Sequence, residues 1–387
     1  MKIKENRQMG IYIHIPFCIQ KCEYCDFLSF VSSSRTRERY VEALLSEIRI
    51  LGKQYEDVSV SSVFVGGGTP SCLEAFQLEE IFWTLRSSFH IMVDVEFSVE
   101  CNPGTLDESK AKAMRAAGVN RISLGLQSAD DTELMALGRI HTYGMFLESY
   151  ELLRENGFSN INVDLMSGLP NQKTKDWEET LRKVAGLGPQ HISAYGLIVE
   201  EGTGLFRKIL SERKKGLESL PDEECEREMY YMTKGILRDF GYHQYEISNF
   251  SRSGFACRHN IDCWTRKDYL GIGLGASSLI QETRYKNTAD MKRYLENSNR
   301  PDSIQTEKTV LSIEDRMSEY MFLGLRMTDG ISISGFNRSF GLDFFEVYGE
   351  ITLRMEMEGL IFRSEDVIAL TPRGVDLSNF VMAGYLL

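Results

Sequence analysis

At 387 residues the chain is long enough for one large α/β domain and a smaller one, and 42% hydrophobic with 26% charged residues is the composition of an ordinary packed core. A formal charge of −12 excludes nucleic acid as the main partner, because phosphate binding depends on an excess of Lys and Arg, and the short basic run Arg213 to Lys215 reads as a solvated helix face. No stretch is apolar over membrane-spanning length, the opening MKIKENRQMG has no signal-peptide core, and eight scattered cysteines form no disulfide framework, so the expectation is a cytoplasmic protein in a reducing compartment.

The first predicted strand begins at Ile11 and runs into IYIHIPFCIQKCEYCDF, a loop with Cys18, Cys22 and Cys25 at spacings of four and three. Thiolates this soft and this clustered select zinc, copper(I) or an iron–sulfur cluster. A structural zinc ion wants four protein ligands, with His14 as the nearby fourth candidate. A four-iron cube on three cysteines would keep one iron free of protein.

Beyond the loop, helical spacing predicts a helix over Arg35 to Gly52, then a strand over Ser59 to Val65 that ends in Gly66-Gly67-Gly68-Thr69-Pro70. Helices at Leu78–Ser87, Leu106–Ala117, Tyr143–Asn156 and Thr174–Gly186 alternate with strands at Val93–Glu100, Asn120–Gln127, Ile161–Gly168 and His191–Leu197. Six βα units with apolar strands predict a parallel sheet, either an open doubly wound sheet or a barrel. In each unit the polar or glycine residues fall at the strand's C-terminal end: the cysteine loop, Gly67 with Thr69, Glu100, Gln127, Asp164 with Gly168, and Tyr195. Six such ends make one shared mouth and favour a partial, TIM-like (β/α)6 barrel too short to close.

From about Glu200 the rhythm changes. A helix is expected over Pro221 to Phe240, then HQYEISNF, the segment HNIDCW (His259 to Trp264), and one glycine-rich strand, DYLGIGLGASSLI. The spacing of Gly271, Gly273 and Gly275 is not that of a dinucleotide fingerprint and reads as a strand passing close to another backbone. Lys308 to Leu387 predicts three helices, a strand pair near Leu360 to Leu370 and a final helix, the outline of a winged-helix-like α+β module. Seven Lys and Arg against twelve Asp and Glu turn that module away from DNA and towards protein contact or packing. The expected division is 1–200, 201–307 and 308–387.

Several of these residues could carry chemistry. The glycine run lacks the Lys of a phosphate loop; it either lets a ligand approach the backbone or makes a tight turn. Glu100 could face a ribose or an amine, or be an exposed loop acid. Gln127 and Arg139 are loop residues or ligand contacts, Arg being suited to a carboxylate. Asp164 lies in a strand otherwise apolar on both faces, where an acid is expensive unless paired or used.

The three-cysteine loop with these strand ends resembles the radical S-adenosylmethionine (radical SAM) superfamily. That resemblance implies a [4Fe–4S] cluster on Cys18, Cys22 and Cys25, with S-adenosylmethionine held by Gly67, Gly68, Thr69, Glu100, Gln127, Arg139 and Asp164 and with Tyr12 and Tyr24 packing nearby. The motifs IYIHIPFC, GGGTPS, NRISLGLQS, LGRIHT, VDLMSGLP and YEISNF together resemble the branch that holds the HemW haem-chaperone family and its relative, the oxygen-independent coproporphyrinogen III dehydrogenase HemN. The dehydrogenase has a fourth cysteine where this chain has Phe27, and a longer N-terminal extension, so the resemblance implies a haem chaperone. It would bind haem, hand it to a haem-accepting apoprotein, and take electrons from a flavodoxin- or ferredoxin-type donor. The family's haem-associated His-Asn-x-x-Tyr-Trp motif appears here as His259-Asn260-Ile261-Asp262-Cys263-Trp264, with Cys263 in place of Tyr, and Ser277 stands where a histidine usually follows. His259 and Cys263 are the haem-ligand candidates, and no residue is assigned as catalytic. The alternatives are a radical SAM oxidoreductase acting on coproporphyrinogen III and a zinc-binding module.

Overall fold

The computed structural model describes residues 7–387, so the first six residues of the opening segment lie outside the described region. Six strands follow one another across the sheet in chain order: β1 (Gln8–Ile15), β2 (Ser59–Gly67), β3 (His90–Cys101), β4 (Arg121–Gln127), β5 (Ile161–Ser167) and β6 (His191–Gly196). Every neighbouring pair is parallel. Sequential order with a helix in each crossover is the winding of a barrel and not of a doubly wound sheet.

Six further strands extend both edges. The hairpin β7 (His243–Glu246) and β8 (Asn249–Ser251) adds to β6. On the other side β9 (Tyr269–Ile272) lies parallel to β1 and is followed outward by antiparallel β10 (Ser277–Ile280), β11 (Thr283–Asn287) and β12 (Gln305–Val310). The sheet therefore runs from β12 to β7 without joining its ends, a partial barrel with a seventh parallel strand beside the six expected.

The stretch expected to be one glycine-rich strand is two. Its glycines are the turn: Gly273 has φ +104° and Gly275 φ +68°. The close backbone approach does occur, since a Cβ on Gly271 would lie 2.2 Å from the Ser277 carbonyl oxygen and one on Gly273 would lie 2.7 Å from that of His14. Glu47, buried on the helix Ser34–Gln54, fixes this turn by accepting from the Gly273 amide (3.0 Å), the Tyr294 hydroxyl (2.6 Å) and Asn287 Nδ2 (2.8 Å).

Local chemistry accounts for the helix starts. Ser33, Asp107, Thr142 and Asp222 each accept an amide of the following first turn, which satisfies donors the helix itself leaves open. One apolar core runs continuously from Met9 to Ile304, joining both faces of the sheet to the crossover helices. A second core, from Met317 to Tyr385, holds the C-terminal module, where three helices precede the hairpin Ile361–Arg363 and Val367–Leu370. Among the described residues no helix is long and apolar enough to cross a membrane.

Candidate functional site at the barrel mouth

The cysteine loop leaves β1 and is tied down on several sides. His14 Nε2 is 2.9 Å from the Leu28 carbonyl, Lys21 donates to the carbonyls of Phe27 (3.0 Å) and Ser29 (3.2 Å), and the Glu23 amide donates to Leu137 (3.0 Å). Burial pushes the His14 pKa down, so its ring stays a neutral strut near pH 7. The loop crosses the end of β2, where the amides of Gly68 and Thr69 donate to the carbonyls of Ile15 (2.8 Å) and Phe17 (2.7 Å).

That crossing explains the glycines. Gly67 has φ +110°, and a Cβ on it would lie 2.4 Å from the His14 ring; one on Gly68 would lie 2.7 Å from the Phe17 carbonyl oxygen. The run is both a turn and a close approach, the two readings the sequence left open.

A cavity of about 260 Å³ opens there, lined by Cys18, Cys22 and Cys25 on one element and Gly67, Gly68 and Thr69 on another. Glu100, Gln127, Arg139, Asp164 and Tyr24 complete its wall. Thr69 Oγ1 lies 3.5 Å from Cys18 Sγ and accepts from Asn102 Nδ2 at 2.9 Å. The Arg139 guanidinium donates to Asn102 Oδ1 (3.0 Å) and to the Gly125 carbonyl and reaches within 3.5 Å of Cys22 Sγ, while its buried Nε has no partner.

Glu100 accepts from the Gly67 amide at 3.0 Å, and burial together with the Asp164 carboxylate raises its pKa to about 7. Asp164 is itself held by Ser123 Oγ (2.8 Å) and Asn162 Nδ2 (2.7 Å), so the acid inside the apolar strand is paired, as its cost requires. Gln127 sits at a bulge against β5 with φ +75°, a strained conformation that turns its amide to the Tyr195 hydroxyl (2.9 Å). Burial raises the pKa of Tyr24, which keeps the phenol protonated.

Three of the candidate residues lie elsewhere. Tyr12 does not line the cavity; its hydroxyl is 3.0 Å from His14 Nδ1 and its ring lies against Phe64. His259 and Cys263 are on the helix Arg258–Trp264, at the level of Gly10 and Ser62 and about 15 Å down the strands from the mouth at ~3.3 Å per residue. His259 is buried, with Nδ1 3.0 Å from Ser62 Oγ and its ring stacked on Phe64, and burial lowers its pKa to about 4. Glu96 accepts the first amides of that helix, Arg258 and His259, both at 3.0 Å. The Cys263 thiol is pushed up to about 12 by burial.

Sequence reasoning missed Asn102 and Ser123. Asn102 couples the glycine run to Arg139, and its signal was its place in the turn just after Glu100. Ser123 shares the inward face of β4 with Gly125 and Gln127, a period of two that could have marked it.

A singly wound parallel sheet with a three-cysteine loop folded over the strand ends defines a protein of the radical SAM class. Residues 12–184 match the Radical SAM superfamily, and residues 311–377 match the HemN C-terminal domain. The heme chaperone HemW of Lactococcus lactis is 35% identical over 97% of both chains, and that of Bacillus subtilis is 35% identical over 97% of this chain and 98% of its own. The chain belongs to the HemW family of the radical SAM superfamily. Its fold is that of coproporphyrinogen III oxidase (HemN) from Escherichia coli, a radical SAM enzyme, with a TM-score of 0.84 over 98% of this chain and 90% of that one at 23% identity.

Proposed function

We propose that this protein is a haem chaperone that holds a [4Fe–4S] cluster and S-adenosylmethionine at the barrel mouth, carries haem and passes it to an acceptor apoprotein. The observation that carries this reading is the full-length similarity to HemW proteins at 35% identity. Phe27, exposed at the edge of the loop where the porphyrinogen dehydrogenase has a cysteine, agrees with it.

The mouth suits the cofactors. Cys18, Cys22 and Cys25 face one cavity. Three soft thiolates suit a cube of irons, which keeps one iron free of protein, better than a structural zinc ion, which wants a fourth protein ligand. When bound, the cluster supplies an open iron and accepts an electron from a flavodoxin- or ferredoxin-type donor.

The chain's own groups then do the holding. Arg139 offsets the charge of the Cys22 thiolate and presents an unpartnered Nε beside the cavity. Glu100 meets a cation or a hydroxyl, Asp164 a ribose hydroxyl, and Gln127 the base edge. The Gly68 backbone leaves the wall flat, because no side chain fits between it and Phe17. Tyr24 lines the cavity and packs against the buried cluster of Leu137, Met166 and Leu169.

Anaerobic reconstitution followed by iron, sulfide and haem analysis tests the proposal. A protein that takes up about four iron and four sulfide and passes haem to an apoprotein supports it; one zinc with no sulfide refutes it. The competing reading, S-adenosylmethionine-dependent oxidation of coproporphyrinogen III, has likeness of fold behind it. Protoporphyrinogen formed at enzymatic rates by the reduced protein would replace the chaperone reading with that one.

A further inference from the structure

The inner face of a closed barrel is packed with branched apolar side chains, and this partial barrel departs from that. Ser123 on β4, Asn162 on β5 and His191 on β6 are buried side by side, because the strand register sets Ser123 against Asn162 and Asn162 against His191. Polar groups so buried are costly unless each finds a partner.

The partners fix which group donates. A carboxylate only accepts, so Asn162 presents Nδ2 to Asp164 (2.7 Å) and to Ser123 Oγ (2.7 Å), and its Oδ1 is left facing His191 Nδ1 at 2.5 Å. Burial, and then the Arg121 guanidinium, pushes the His191 pKa well below its ordinary value, so the ring is neutral and carries its one proton on Nδ1. Nε2 is then bare, and the Tyr245 hydroxyl on β7 donates to it at 2.8 Å. The Tyr245 oxygen in turn accepts from the Cys257 amide at 3.3 Å. Every donor in the row, from Cys257 through Tyr245, His191 and Asn162, is aimed towards Asp164.

The far end of the row is the start of the helix Arg258–Trp264, which carries His259 and Cys263. That helix has no side-chain cap of its own. Three successive amides at its start rest on other elements instead, Cys257 on Tyr245, and Arg258 and His259 on Glu96.

Resting on the reading that S-adenosylmethionine occupies the mouth, we propose that His191 and Tyr245 are positioning residues that orient Asp164 for the ribose and couple ribose binding to the helix Arg258–Trp264. A hydroxyl donating to Asp164 draws on a carboxylate whose Asn162 donor is fixed by the next group in line, and hydrogen bonds in such a row strengthen one another. The last in line is the amide at the helix start. Coupling of this kind is reciprocal, so S-adenosylmethionine and a ligand held by that helix change each other's affinity by the same factor. Tyr245, in the YEISNF motif, thereby acts on the mouth from outside the six parallel strands.

The test is equilibrium dialysis of full-length, cluster-loaded protein with S-adenosylmethionine, together with amide hydrogen exchange of residues 257–265 by mass spectrometry with and without it. In wild type S-adenosylmethionine should slow that exchange. Tyr245→Phe should weaken S-adenosylmethionine about fivefold, the effect of one ordinary hydrogen bond, and abolish the slowing. His191→Leu should do the same, whereas His191→Gln, whose amide can both donate to Asn162 and accept from Tyr245, should stay within about twofold of wild type and keep the slowing. In an Asp164→Asn background the effect of Tyr245→Phe should shrink to under about twofold, because the row no longer ends on a carboxylate. Far-UV circular dichroism and cluster absorbance check that each variant is folded and loaded. Wild type that binds S-adenosylmethionine without slowing exchange in 257–265, or Tyr245→Phe and His191→Leu that match wild type in both measurements, overturns the coupling and spares the reading of the mouth. So does Tyr245→Phe costing the same factor with Asp164→Asn as without it. Cluster-loaded wild type that binds no S-adenosylmethionine overturns both.

Discussion

Glu100→Gln should make the protein more stable and its mouth less useful. The Glu100 carboxyl is raised from an ordinary 4.5 to about 7, first by burial and then by Asp164, and opposed by the Gly67 amide. A difference of that size withholds on the order of 3 kcal/mol from the ionised native state. The native state holds this proton more tightly than the unfolded chain does, so the contribution is complete below about pH 4.5, falls as pH rises and is lost above about 7. Glutamine carries no such charge and still offers the Gly67 amide an acceptor. Denaturant unfolding of metal-free protein at pH 5, 6, 7 and 8 should therefore show the variant gaining on the wild type, to about 3 kcal/mol at pH 8. Glu47, also raised to about 7 by burial, contributes equally to both proteins and cancels in the difference. In cluster-loaded protein a cationic ligand should bind wild type more tightly as pH rises from 5.5 to 7.5, with no such slope in the variant. Parallel stability curves, or a variant no more stable than wild type at pH 8, would refute the assignment of Glu100 as a buried, uncompensated acid.

Other outcomes follow from the same geometry. Glu47→Ala strands three buried donors, each costing about 1–3 kcal/mol, and should lower stability by several kcal/mol in chemical denaturation; a loss under 1 kcal/mol contradicts its role as anchor of the Gly273 turn. Gly67→Ala combines φ +110° with a contact to the His14 ring and should cut S-adenosylmethionine binding at least tenfold by equilibrium dialysis. Burial holds Cys72 at about 11 and Cys101, Cys257 and Cys263 at about 12, so iodoacetamide at pH 8 should leave these four unlabelled in native protein. Mass spectrometry should find label on the loop cysteines instead, and cluster loading should protect them. Asn102→Ala frees both Thr69 and Arg139 and should weaken the cofactor without unfolding the barrel, seen as a higher ligand dissociation constant at an unchanged melting temperature.

Much of the barrel was legible because buried parallel strands are continuous apolar runs, and their polar residues collect at one end. The helix Thr174–Gly186 has the limits its periodicity gave, and Gly67, Glu100, Gln127, Arg139 and Asp164 all line one cavity. The DYLGIGLGASSLI stretch was not legible in the same way. Its apolar alternation suits one long strand, and the groups that hold the turn at Gly273, Glu47 more than two hundred residues earlier and Asn287 beyond the next strand, lie outside the stretch. HNIDCW shows the same limit. Its helix starts where Glu96 on β3 accepts its first amides, and that contact aims His259 at Ser62 inside the barrel.

The sequence alone determined the chemistry on offer: three soft thiolates on one loop, glycines where no Cβ fits, and strand ends that carry acids and an arginine. These are properties of residue type and spacing, which survive without coordinates. Tertiary structure decided which groups share a space. Asn102 joined the site because it lies between Thr69 and Arg139, while His259 turned into the barrel interior against Ser62 of β2, and Tyr12 settled on His14 of its own strand with its ring against Phe64 of β2. Side-chain direction depends on contacts distant in sequence, and spacing along one segment does not encode them.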